Sequence, residues 1–559
     1  MYGPIAPGNT YAGNAEGTYR STSAVNLGPA VSEITPLKVE YWKRMLANHP
    51  DPDFVAQIIH GLEHGVNIGY QGNEFMQISD NWPSVEDHRE KVRQFILEHA
   101  AKGRIDGPYF SPPHKHFRAS PLGAFLKKRS SKVRVIHDLS FPPGSSINEF
   151  INRHDYTLTY STIDNVVDMC RKYKEPWLCK MDLKDAFMHC MVSPKDRHLL
   201  GFTWKGENGV IEYWQMNSLP FGMSSSPKIF DDHAQTLEYM MMQNGASTDT
   251  THYMDDSISV VGSKISGHKN LQIIVRTSGE AGFDVQHLKT EGPSRVMEYT
   301  GIVVDTILKQ LRISQERLAD IKAELSTWRD RKTCSKRDLL SIIGKLVFCA
   351  KVVRDGRKFI GRLISASCRA KHLHHRVKLN KETRADMSWW IKSIESHNGT
   401  AMFPPEWDIC DSELLYSDAS DLAAGGAWRN AWLVVPFTRA NAWMKDMDIA
   451  WRELYAVVVC IATFGPFMTG KKVSMYIDNQ AIYWCVNSGK SKNPKIMALI
   501  RALYYYTTFY CIEYKAFYLH TYENTLADAI SRLEFDKLKL YNPDINDSPT
   551  TAVSTIIDF

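Results

Sequence analysis

The chain has 559 residues, of which 43% are hydrophobic and 23% charged, and a formal net charge of +5. This length is too great for one hydrophobic core and predicts about three or four domains; the composition excludes a fibrous or wholly disordered protein. The longest apolar run begins at Leu454 and is shorter than the ~18–20 residues that span a bilayer, so we predict a buried helix there and no membrane partner.

The termini and the cysteines indicate a cellular compartment. The N-terminus has no apolar signal core, and the ten cysteines include no C-x-x-C pair. Both features favour reduced thiols over disulfides or structural zinc. We therefore expect an intracellular, cytoplasmic protein that can also reach the nucleus.

The positive charge is concentrated in one segment. Residues 312–381 contain 19 Lys and Arg against 6 Asp and Glu, an excess of 13, so the other residues together carry −8. A basic segment on an otherwise acidic chain fits a phosphate-backbone partner. Several helices with solvated basic faces would give the same count and remain an alternative.

The first half of the chain has an α+β pattern. Residues 1–36 are rich in Gly, Ala, Ser, Thr and Asn, which predicts a disordered leader. Helical patterning follows over residues 37–85. In "SKVRVIHDLS" the alternation of apolar and basic side chains from Val133 predicts a strand, and short strands alternate with helices up to about Val304.

The second half begins with helices and continues as α/β. The stretches "QERLADIKAELSTWRDR", "SKRDLLSIIGKLVFCAKVVRD" and "GRKFIGRLISASCRAKHLHHR" have helical period, and Ser314 and Ser335 stand at N-cap positions. The Pro-rich joint "MFPPEWD", from Met402, marks a boundary before a second α/β unit. The last residues, from 537, predict a polar tail.

Three aspartates form the first candidate site. The stretch "THYMDDSISV" places Asp255 and Asp256 side by side between two strand-forming runs. At ~5 Å and an effective dielectric constant of ~20 their repulsion would cost roughly 3 kcal/mol, so the pair either faces water in a turn or holds a cation. The run "WLCKMD" supplies a third acid, Asp182, at a strand end. Such a set can cradle two magnesium ions ~3.5–4 Å apart, as nucleotidyl transfer requires.

Five segments, in chain order, resemble the motifs of reverse transcriptases. "KMDLKDAF", "LPFGMSSSPKIF" and "YMDD" resemble motifs A, B and C, and "QHLKT" and "EYTGIVVD" resemble the two motifs that follow. Any one of them could occur by chance, whereas the ordered set is specific. The resemblance implies an α+β multidomain fold with the fingers, palm and thumb of a right-hand polymerase. It also implies that Asp182, Asp255 and Asp256 are catalytic ligands of two Mg²⁺ ions, for which Mn²⁺ can substitute.

The resemblance assigns residues to the sugar and base of the incoming nucleotide. Phe187 stands where the family keeps an aromatic ring beneath the sugar. A ring there would collide with a 2′-hydroxyl, the group that distinguishes RNA from DNA, so deoxynucleotides are the implied substrates; a buried palm aromatic is a compatible role. Phe221 and Gly222 would lie against the nucleotide and the template, where glycine permits a close approach.

The resemblance also assigns residues to the triphosphate. Lys132 and Arg134 correspond to the residues that hold it, and the planar fork of arginine suits phosphate oxygens. Lys127 is an alternative, but it could equally belong to a solvated turn. Lys289, in "QHLKT", would donate a proton to the departing pyrophosphate.

Four further acids are spread over the C-terminal unit. Asp418 and Asp478 each end a strand-like run, Asp528 lies on a helix, and Glu453 lies on an apolar helix, where an unpaired charge is costly. The set matches the D-E-D-D acids of ribonuclease H folds, and "LHTYENTLADAISRLE" resembles the ribonucleases H of gypsy-like LTR retrotransposons. The resemblance implies two further Mg²⁺ ions. It gives His520 the role of a mobile catalytic histidine, although its spacing to Asp528 is shorter than usual. An α/β domain with four incidental acids is the alternative.

The basic helical segment occupies the place of the thumb and the connection. Its basic face would run along a template–primer duplex through sequence-independent, salt-sensitive contacts. The nucleic-acid-binding candidates are Lys345, Lys351, Arg354, Arg357 and Lys358. The histidines of "HLHHR" could bind a metal, but beside Arg and Lys they more often face nucleic acid.

The wider pattern resembles the DIRS group of tyrosine-recombinase retrotransposons. The resemblance rests on the helical segment before the fingers, on "WW…HNG" in the connection, and on the absence from this chain of an aspartic-protease triplet and a zinc-binding integrase signature. The domains that we predict are a leader (1–36), a helical extension (37–85), fingers and palm (86–312), a basic thumb (313–380), a connection (381–410), an α/β ribonuclease H-like domain (411–536) and a tail (537–559).

The implied function is RNA- and DNA-directed DNA polymerisation with ribonuclease H activity. Its partners would be an RNA template with a DNA or RNA primer, the RNA–DNA hybrid and dNTPs, in a monomer or a homodimer. An RNA-dependent RNA polymerase is one alternative, which Phe187 and the attached ribonuclease disfavour. A domesticated nucleic-acid-binding protein without catalysis is another, which the presence of all seven acids disfavours.

Overall fold

The structure is a computed structural model that describes residues 29–559, except 127–131, 207–208, 354–355, 398, 404–406, 408, 511, 555 and 557–559. The chain divides into two compact units, residues 1–294 and 295–559. The boundary falls inside the predicted fingers-and-palm region, 86–312. The finer domain limits stay predictions.

The first unit alternates short helices with short strands. Its helices are α1 (Val31–Ile34), α2 (Val39–Leu46), α3 (Pro52–His64), α4 (Arg89–Ala101), α5 (Ile163–Arg171), α6 (Ser226–Gln243) and α7 (Lys264–Ala281). Its strands are β1 (Gln77–Ile78), β2 (Ile105–Tyr109), β3 (Arg118–Ala119), β4 (Leu122–Leu126), β5 (Val133–His137), β6 (Trp177–Asp182), β7 (Gly201–Lys205), β8 (Ile211–Met216), β9 (Thr250–Tyr253), β10 (Asp256–Val261) and β11 (Glu291–Ser294). Single 3₁₀ turns include Ala186–His189 and His287–Lys289. The alternation confirms the predicted α+β class, and β5 confirms the strand predicted from Val133.

Three sheets organise this unit. One has the order β1-β3-β7-β8-β2, a second has the order β11-β6-β10-β9, and β4 pairs with β5 as a hairpin. Helix α7 packs against β6, β10 and β11 and also against α6. The second sheet therefore has a helical layer behind it, which holds its strand ends in fixed positions.

The predicted leader, residues 1–36, lies mostly outside the described residues, but its described end is folded. Helix α1 begins at Val31, which is buried. The Arg197 guanidinium donates a hydrogen bond of 2.6 Å to the carbonyl of Pro29. The prediction of disorder was therefore wrong for residues 29–36. Long-range contacts, which local composition does not reveal, hold this segment against the first unit.

The second unit begins with helices and ends in a five-stranded sheet. Its helices are α8 (Gln315–Ser326), α9 (Lys336–Cys349), α10 (Gly361–Cys368), α11 (Lys381–His397), α12 (Ile449–Phe464), α13 (Gln480–Ser488), α14 (Pro494–Phe509), α15 (Thr525–Ser531) and α16 (Leu538–Tyr541). Its strands are β12 (Val296–Tyr299), β13 (Ile302–Asp305), β14 (Gln310–Ile313), β15 (Thr333–Ser335), β16 (Arg376–Lys378), β17 (Thr400–Met402), β18 (Glu413–Ala419), β19 (Ala423–Trp428), β20 (Ala431–Pro436), β21 (Lys472–Ile477) and β22 (Glu513–Tyr518).

The predicted C-terminal α/β unit is a mixed sheet with the order β20-β19-β18-β21-β22. Strands β18, β21 and β22 are parallel, and β19 and β20 are antiparallel additions. Helix α12 packs on β18 and β19, and α15 packs on the same pair. The carboxyl ends of β18 and β21 therefore meet at one edge of the sheet.

The basic segment forms the predicted helices, but shorter ones than the pattern indicated. Ser335 caps α9, since its side chain accepts a hydrogen bond from the backbone N–H of Asp338. Ser314 stands at the N-cap of α8 without such a bond. The third predicted helix is replaced by a 3₁₀ turn over Gly356–Phe359, by α10, and by strand β16, which pairs with β15.

The apolar run at Leu454 is part of a longer helical stretch than the sequence suggested. Residues Ile449–Met468 form 20 residues that are long and apolar enough to cross a membrane by length and composition, and 78% of the window is buried within the protein. The expected buried helix is confirmed, while the statement that no run reaches spanning length was wrong.

The predicted polar tail is also packed. Ile545 is buried, and the Trp432 indole donates a hydrogen bond of 2.8 Å to the carbonyl of Asn546. Val553 packs against the core of the sheet and its helices. The tail's polar composition hid the few apolar residues that anchor it.

Candidate functional site: two carboxylate clusters

The first cluster forms where a buried strand meets a tight hairpin. Strand β6 is fully buried at Leu178, Cys179 and Met181, and it ends at Asp182. In the antiparallel pairing of β6 with β10, Asp256 lies directly opposite Asp182. Across the β9–β10 hairpin Asp256 pairs with Tyr253, which leaves a two-residue turn. The structure therefore brings the three predicted palm acids together.

The turn holds the exposed member of the set. It consists of Met254, whose φ of +57° is in the left-handed region, and Asp255. A side chain other than glycine rarely adopts this conformation, and such positions cluster at functional sites. The turn thereby carries the Asp255 carboxylate beside the other two.

Burial, together with the neighbouring carboxylates, raises the pKa values of Asp255 and Asp256. Asp255 keeps accessible surface, yet the surrounding protein desolvates its carboxyl group and raises its pKa, and Asp182 adds to the shift. Burial raises the pKa of Asp256 to about 7, and the charges of Asp255 and Asp182 contribute. Proximity of like charges favours protonation unless a cation compensates, so this set has the electrostatics of a cation site.

Lys289 supplies one such positive charge. Its ammonium group donates a hydrogen bond of 2.7 Å to Asp182 Oδ2. Burial lowers the pKa of Lys289, but the bond to Asp182 outweighs burial and raises it. The sequence assigned Lys289 to pyrophosphate; the structure places its ammonium group on a palm acid instead, a contact that depends on the fold of the 3₁₀ turn at His287–Lys289.

The predicted sugar-facing ring lies in an aromatic cluster. Phe187 is partly buried, with its ring centroid 4.9 Å from that of Phe221 and 5.2 Å from that of Phe230 on α6. The ring is fixed by its neighbours on two sides, as a steric gate requires. Phe221 itself keeps 38% of its surface exposed.

The fold requires glycine at position 222 for a reason that the sequence did not reveal. Its φ is +116°, and a Cβ at this position would lie 2.1 Å from the carbonyl oxygen of His137 on β5. The backbone N–H of His137 also donates to the carbonyl of Phe221 at 3.2 Å. The close approach is therefore to strand β5, whatever contact with nucleotide the residue also makes.

The basic candidates of the fingers stand on that strand. Lys132 immediately precedes β5 and Arg134 lies on it; both are exposed and two residues apart, so they share one face. The Arg134 guanidinium carbon lies 6.0 Å from the centroid of Phe221, and its charge lowers the pKa of Asp255. Arg134 thus faces the palm acids. Lys127 lies outside the described residues.

His252 belongs to this site, and the sequence analysis missed it. It lies on β9, three residues before Asp255, and its ring nitrogens are 2.8 Å from Glu238 Oε2 and 3.1 Å from Asp231 Oδ1 on α6. Burial lowers the pKa of His252, but these two acceptors outweigh burial and raise it to about 9. The imidazolium ties the acid-bearing hairpin to α6.

The second cluster is the more tightly gathered of the two. Asp418 lies near the end of β18, Asp478 follows β21, and Glu453 lies on α12. One ligand oxygen from each lies within 4.8 Å of the others, and within the described chain this is the only group of three acids, histidines or cysteines so arranged. The structure thus brings together three of the four predicted ribonuclease H acids.

Burial and mutual repulsion dominate the electrostatics of this cluster. Glu453 is 7% exposed, and burial, followed by the charges of Asp418 and Asp478, raises its pKa to about 10. Burial raises the pKa of Asp418 to about 6, despite a hydrogen bond from the Ser531 hydroxyl. Carboxylate oxygens are the ligands that hard divalent cations prefer, so the donor set fits such a cation.

The fourth acid, Asp528, and the histidine lie outside this group of three, although the charge of Asp528 adds to the rise in the pKa of Asp418 that burial causes. Asp528 Oδ1 accepts a hydrogen bond of 2.6 Å from the Arg532 guanidinium. His520 is exposed and its ring stacks on Tyr522, with centroids 5.4 Å apart. None of the contacts recorded for the described residues joins His520 to an acid of the cluster. Ser531 and Arg532 were missed, although their helical spacing from Asp528 could have indicated both.

The five basic candidates of the thumb have different environments. Lys351 and Arg357 are exposed, as nucleic-acid contacts require, and Arg354 lies outside the described residues. Lys345 is partly exposed and forms an ion pair with Glu324 of α8. Lys358 is 3% exposed, and its ammonium group donates to the Tyr514 hydroxyl at 2.8 Å. The prediction that Lys358 faces nucleic acid was wrong, because tertiary packing against β22 buries it.

Comparison with known proteins identifies the first part of the chain. The family model "Reverse transcriptase (RNA-dependent DNA polymerase)" matches residues 126–304. The Pol polyprotein of transposon 297 from Drosophila melanogaster is 22% identical over 475 residues, 82% of this chain and 40% of that protein. The enzymatic polyprotein of figwort mosaic virus is 20% identical over 370 residues, 63% of this chain and 50% of that protein. The chain thus spans half or less of these curated relatives.

The solved structures that match this chain include two foamy viral protease-reverse transcriptases. One, in complex with double-stranded DNA, has a TM-score of 0.49 at 14% identity and covers 86% of this chain and 81% of its own. The other, in complex with an RNA/DNA hybrid, has a TM-score of 0.49 at 13% identity and covers 93% of this chain and 65% of its own. Reverse transcriptases generally depend on divalent metals, and the palm acids Asp182, Asp255 and Asp256 lie within the matched segment. Residues 126–304 thus match the reverse transcriptase family, and the chain as a whole resembles the polyproteins of a transposon and a virus.

Proposed function

We propose that this chain is an RNA- and DNA-directed DNA polymerase with ribonuclease H activity, which copies retroelement RNA into DNA and degrades the RNA strand of the hybrid. The observation that carries the polymerase is the pairing of Asp182 with Asp256 beside the Asp255 turn, within the segment that the reverse transcriptase family matches. The observation that carries the ribonuclease is the second, separate acid cluster of Asp418, Glu453 and Asp478.

In the polymerase site, the chain's own residues position the reactants. Asp182, Asp255 and Asp256 hold the cations, and Lys289 balances the charge of Asp182 until they bind. Lys132 and Arg134 bind the triphosphate, and the Phe187 ring, braced by Phe221 and Phe230, excludes a 2′-hydroxyl. When bound, divalent cations, which we propose to be Mg²⁺ with Mn²⁺ as a substitute, neutralise the charge that develops on phosphorus and lower the pKa of the attacking hydroxyl or water.

In the ribonuclease site, the buried acids Asp418 and Glu453 and the half-buried Asp478 would hold the cations. Ser531 fixes the orientation of Asp418 through its hydroxyl, and Arg532 keeps Asp528 beside the cluster. Asp528, which accepts a hydrogen bond from Arg532, would serve as the fourth ligand, and His520 would act from the exposed loop before α15. The sequence features that resemble DIRS elements support a place in that group and an intracellular location.

The proposal is tested by separating the two activities. Asp255→Asn removes a cation ligand and nearly preserves shape, so primer extension with dNTPs on RNA should fall by orders of magnitude while hybrid cleavage survives. Glu453→Gln should have the opposite effect. Extension assays with rNTPs and without Mg²⁺ serve as controls. Undiminished extension by the Asp255 variant, or joint loss of both activities in a folded variant, would contradict the two-site assignment.

A further inference from the structure

A basic cavity lies within the second unit, and none of its lining residues belongs to the acid cluster of that unit. Its volume is about 630 Å³, and it is formed by the 3₁₀ turn at Gly356–Phe359, by α10, by the start of α11, and by the turn between α13 and α14. Eight of its lining side chains are lysine or arginine, and one, Glu382, is acidic. The lining contains no aromatic ring.

The floor of the cavity is a buried arginine. Arg501, on α14, is 4% exposed, and its Nη2 lies 3.4 Å from the carbonyl oxygen of Lys358 and 3.5 Å from Asp386 Oδ2. Its Nε has no hydrogen-bond partner among the described residues. Asp386 also faces Arg362, at 3.5 Å, and Glu382 lies 3.9 Å from the same guanidinium group. The positive charge of the cavity therefore rests on its six other lysines and arginines.

The two walls are fixed to each other by Lys358. Its ammonium group lies 4.7 Å from the centroid of Tyr504, besides its hydrogen bond to Tyr514. Its methylene groups cross Gly489, where a Cβ would lie 2.8 Å from Lys358 Cε and where φ is +66°. Only glycine allows this crossing without strain. The cavity is thus a preformed feature of the fold.

The mouth carries the cations that have no carboxylate partner. Arg357, Arg369, Lys490 and Lys492 are exposed, and in the part of the chain that the structure describes none of them lies within ion-pair distance of an acid. Like charges that converge on one space repel each other. An anion in the cavity would remove this repulsion.

The chemistry of the lining selects the class of anion. Arginine forks bind phosphate oxygens in a bidentate manner, and the Ser491 hydroxyl and the Asn380 amide can donate to the same oxygens. Bases of single strands are bound by stacking on aromatic rings, which this lining does not offer. The cavity suits phosphate groups and not nucleobases.

We propose that this cavity is a phosphodiester-binding site that holds the backbone of an RNA–DNA hybrid while the hybrid lies in the ribonuclease site. The proposal rests on the proposed ribonuclease function. Helix α13 joins the two places, since Asp478 precedes its first turn and Gly489 follows its last. Its nine residues span about 14 Å, a distance that corresponds to about four base pairs of duplex. A phosphate contact at this distance fixes the hybrid relative to the acids.

The test measures hybrid binding as a function of salt in EDTA, where no cleavage occurs. A fluorescently labelled RNA–DNA hybrid is titrated with the full chain and with Lys490→Gln/Lys492→Gln. Loss of two phosphate contacts should lower the slope of log K against log salt by about 1.8. A fourfold increase in salt weakens hybrid binding by some factor in each protein, and this factor should be about 12 times smaller for the variant than for the wild type. The unfolding temperature should not change, because both lysines are exposed.

A matched control is Lys392→Gln/Lys515→Gln, which removes two exposed charges outside the cavity. A fall in slope confined to the cavity variant supports the site. Equal falls in both variants, or no fall in either, overturn it. In a second experiment, calorimetry measures the binding of tripolyphosphate to the same proteins. If tripolyphosphate binding depends on Lys490 and Lys492 while the salt slope of hybrid binding is unchanged in the variant, the cavity binds a free anion and the hybrid-binding proposal is overturned. Hybrid cleavage by the wild type is measured separately, so a failed ribonuclease proposal is distinguishable from a failed binding site.

Discussion

Replacing Glu453 by glutamine tests whether the second cluster is a strained set of acids. Glu453 is buried, and its pKa is raised from 4.5 to about 10. A carboxyl group with a raised pKa in the folded state weakens folding progressively as pH rises above its unfolded value, because the unfolded chain gains by ionising and the folded chain does not. At about pH 7.5, three pH units above 4.5, the cost is about 4 kcal/mol at 1.36 kcal/mol per unit.

Glutamine removes this cost because it is neutral in both states. In EDTA at about pH 7.5 we expect Glu453→Gln to stabilise the second unit by about 2–4 kcal/mol, a rise of roughly 5–15 °C in its unfolding temperature. The gain should shrink to zero near pH 4.5, where the unfolded carboxyl group is itself protonated. Saturating Mg²⁺, at about 100 times its Kd, should stabilise the wild type by about 3 kcal/mol and the variant by less.

Glu413→Gln is a control of opposite sign at the other end of strand β18. The Arg429 guanidinium, with Lys471 and Trp428, holds the pKa of Glu413 at about 2. Its contribution is present above pH 4.5 and is lost as pH falls toward 2, so its removal should destabilise the unit by about 1–3 kcal/mol at neutral pH. Both variants are followed by thermal unfolding across pH. A Glu453 variant that is less stable than the wild type in EDTA and responds equally to Mg²⁺ would refute the shared cation site.

Three further predictions concern the first unit. Phe187→Ala should raise the ratio of kcat/KM for CTP over dCTP by about 5- to 150-fold, since the overpacking it relieves is worth about 1–3 kcal/mol; an unchanged ratio would revive an RNA polymerase. The charged imidazolium of His252 binds two carboxylates in the folded protein. Its contribution to the free energy of unfolding is therefore complete below pH 6.5 and is lost as pH rises through about 9. His252→Gln should therefore abolish a loss of about 2 kcal/mol between about pH 7 and pH 9 in denaturant unfolding of the first unit, and a variant with the wild-type pH profile would contradict this. Gly222→Ala should reduce primer extension at least about tenfold because its Cβ has no room beside His137, whereas cleavage by the second unit should persist; normal extension would show that strand β5 can move.

The local pattern of the sequence predicted the acid sites well because both depend on strand ends. An apolar run that stops at an acid defines where a buried strand ends, and this rule located Asp182 and Asp478. The hairpin at Asp255 followed from two strand-forming runs separated by a short turn. Glu453 was recognised as a candidate ligand because a charge on an apolar helix costs free energy unless it is paired or bound to metal.

The sequence could not predict contacts that depend on distant parts of the chain. Lys358 lies in a basic run that reads as solvated, but 156 residues later Tyr514 provides the acceptor that buries it. Lys289 and Asp182 meet across 107 residues. Helix α1 in the predicted leader, and the packing of Ile545, likewise depend on surfaces that form only in the folded unit.

The central claim is that two separate acid clusters perform two separate reactions, and one substrate can report on both. A DNA primer labelled with one dye is annealed to an RNA template labelled with a second dye. This substrate is incubated with dNTPs, Mg²⁺ and one of three proteins: the wild type, Asp255→Asn or Glu453→Gln. We expect primer extension without RNA cleavage for Glu453→Gln and RNA cleavage without extension for Asp255→Asn. Loss of both reactions in either folded variant, or retention of extension by Asp255→Asn, would contradict it.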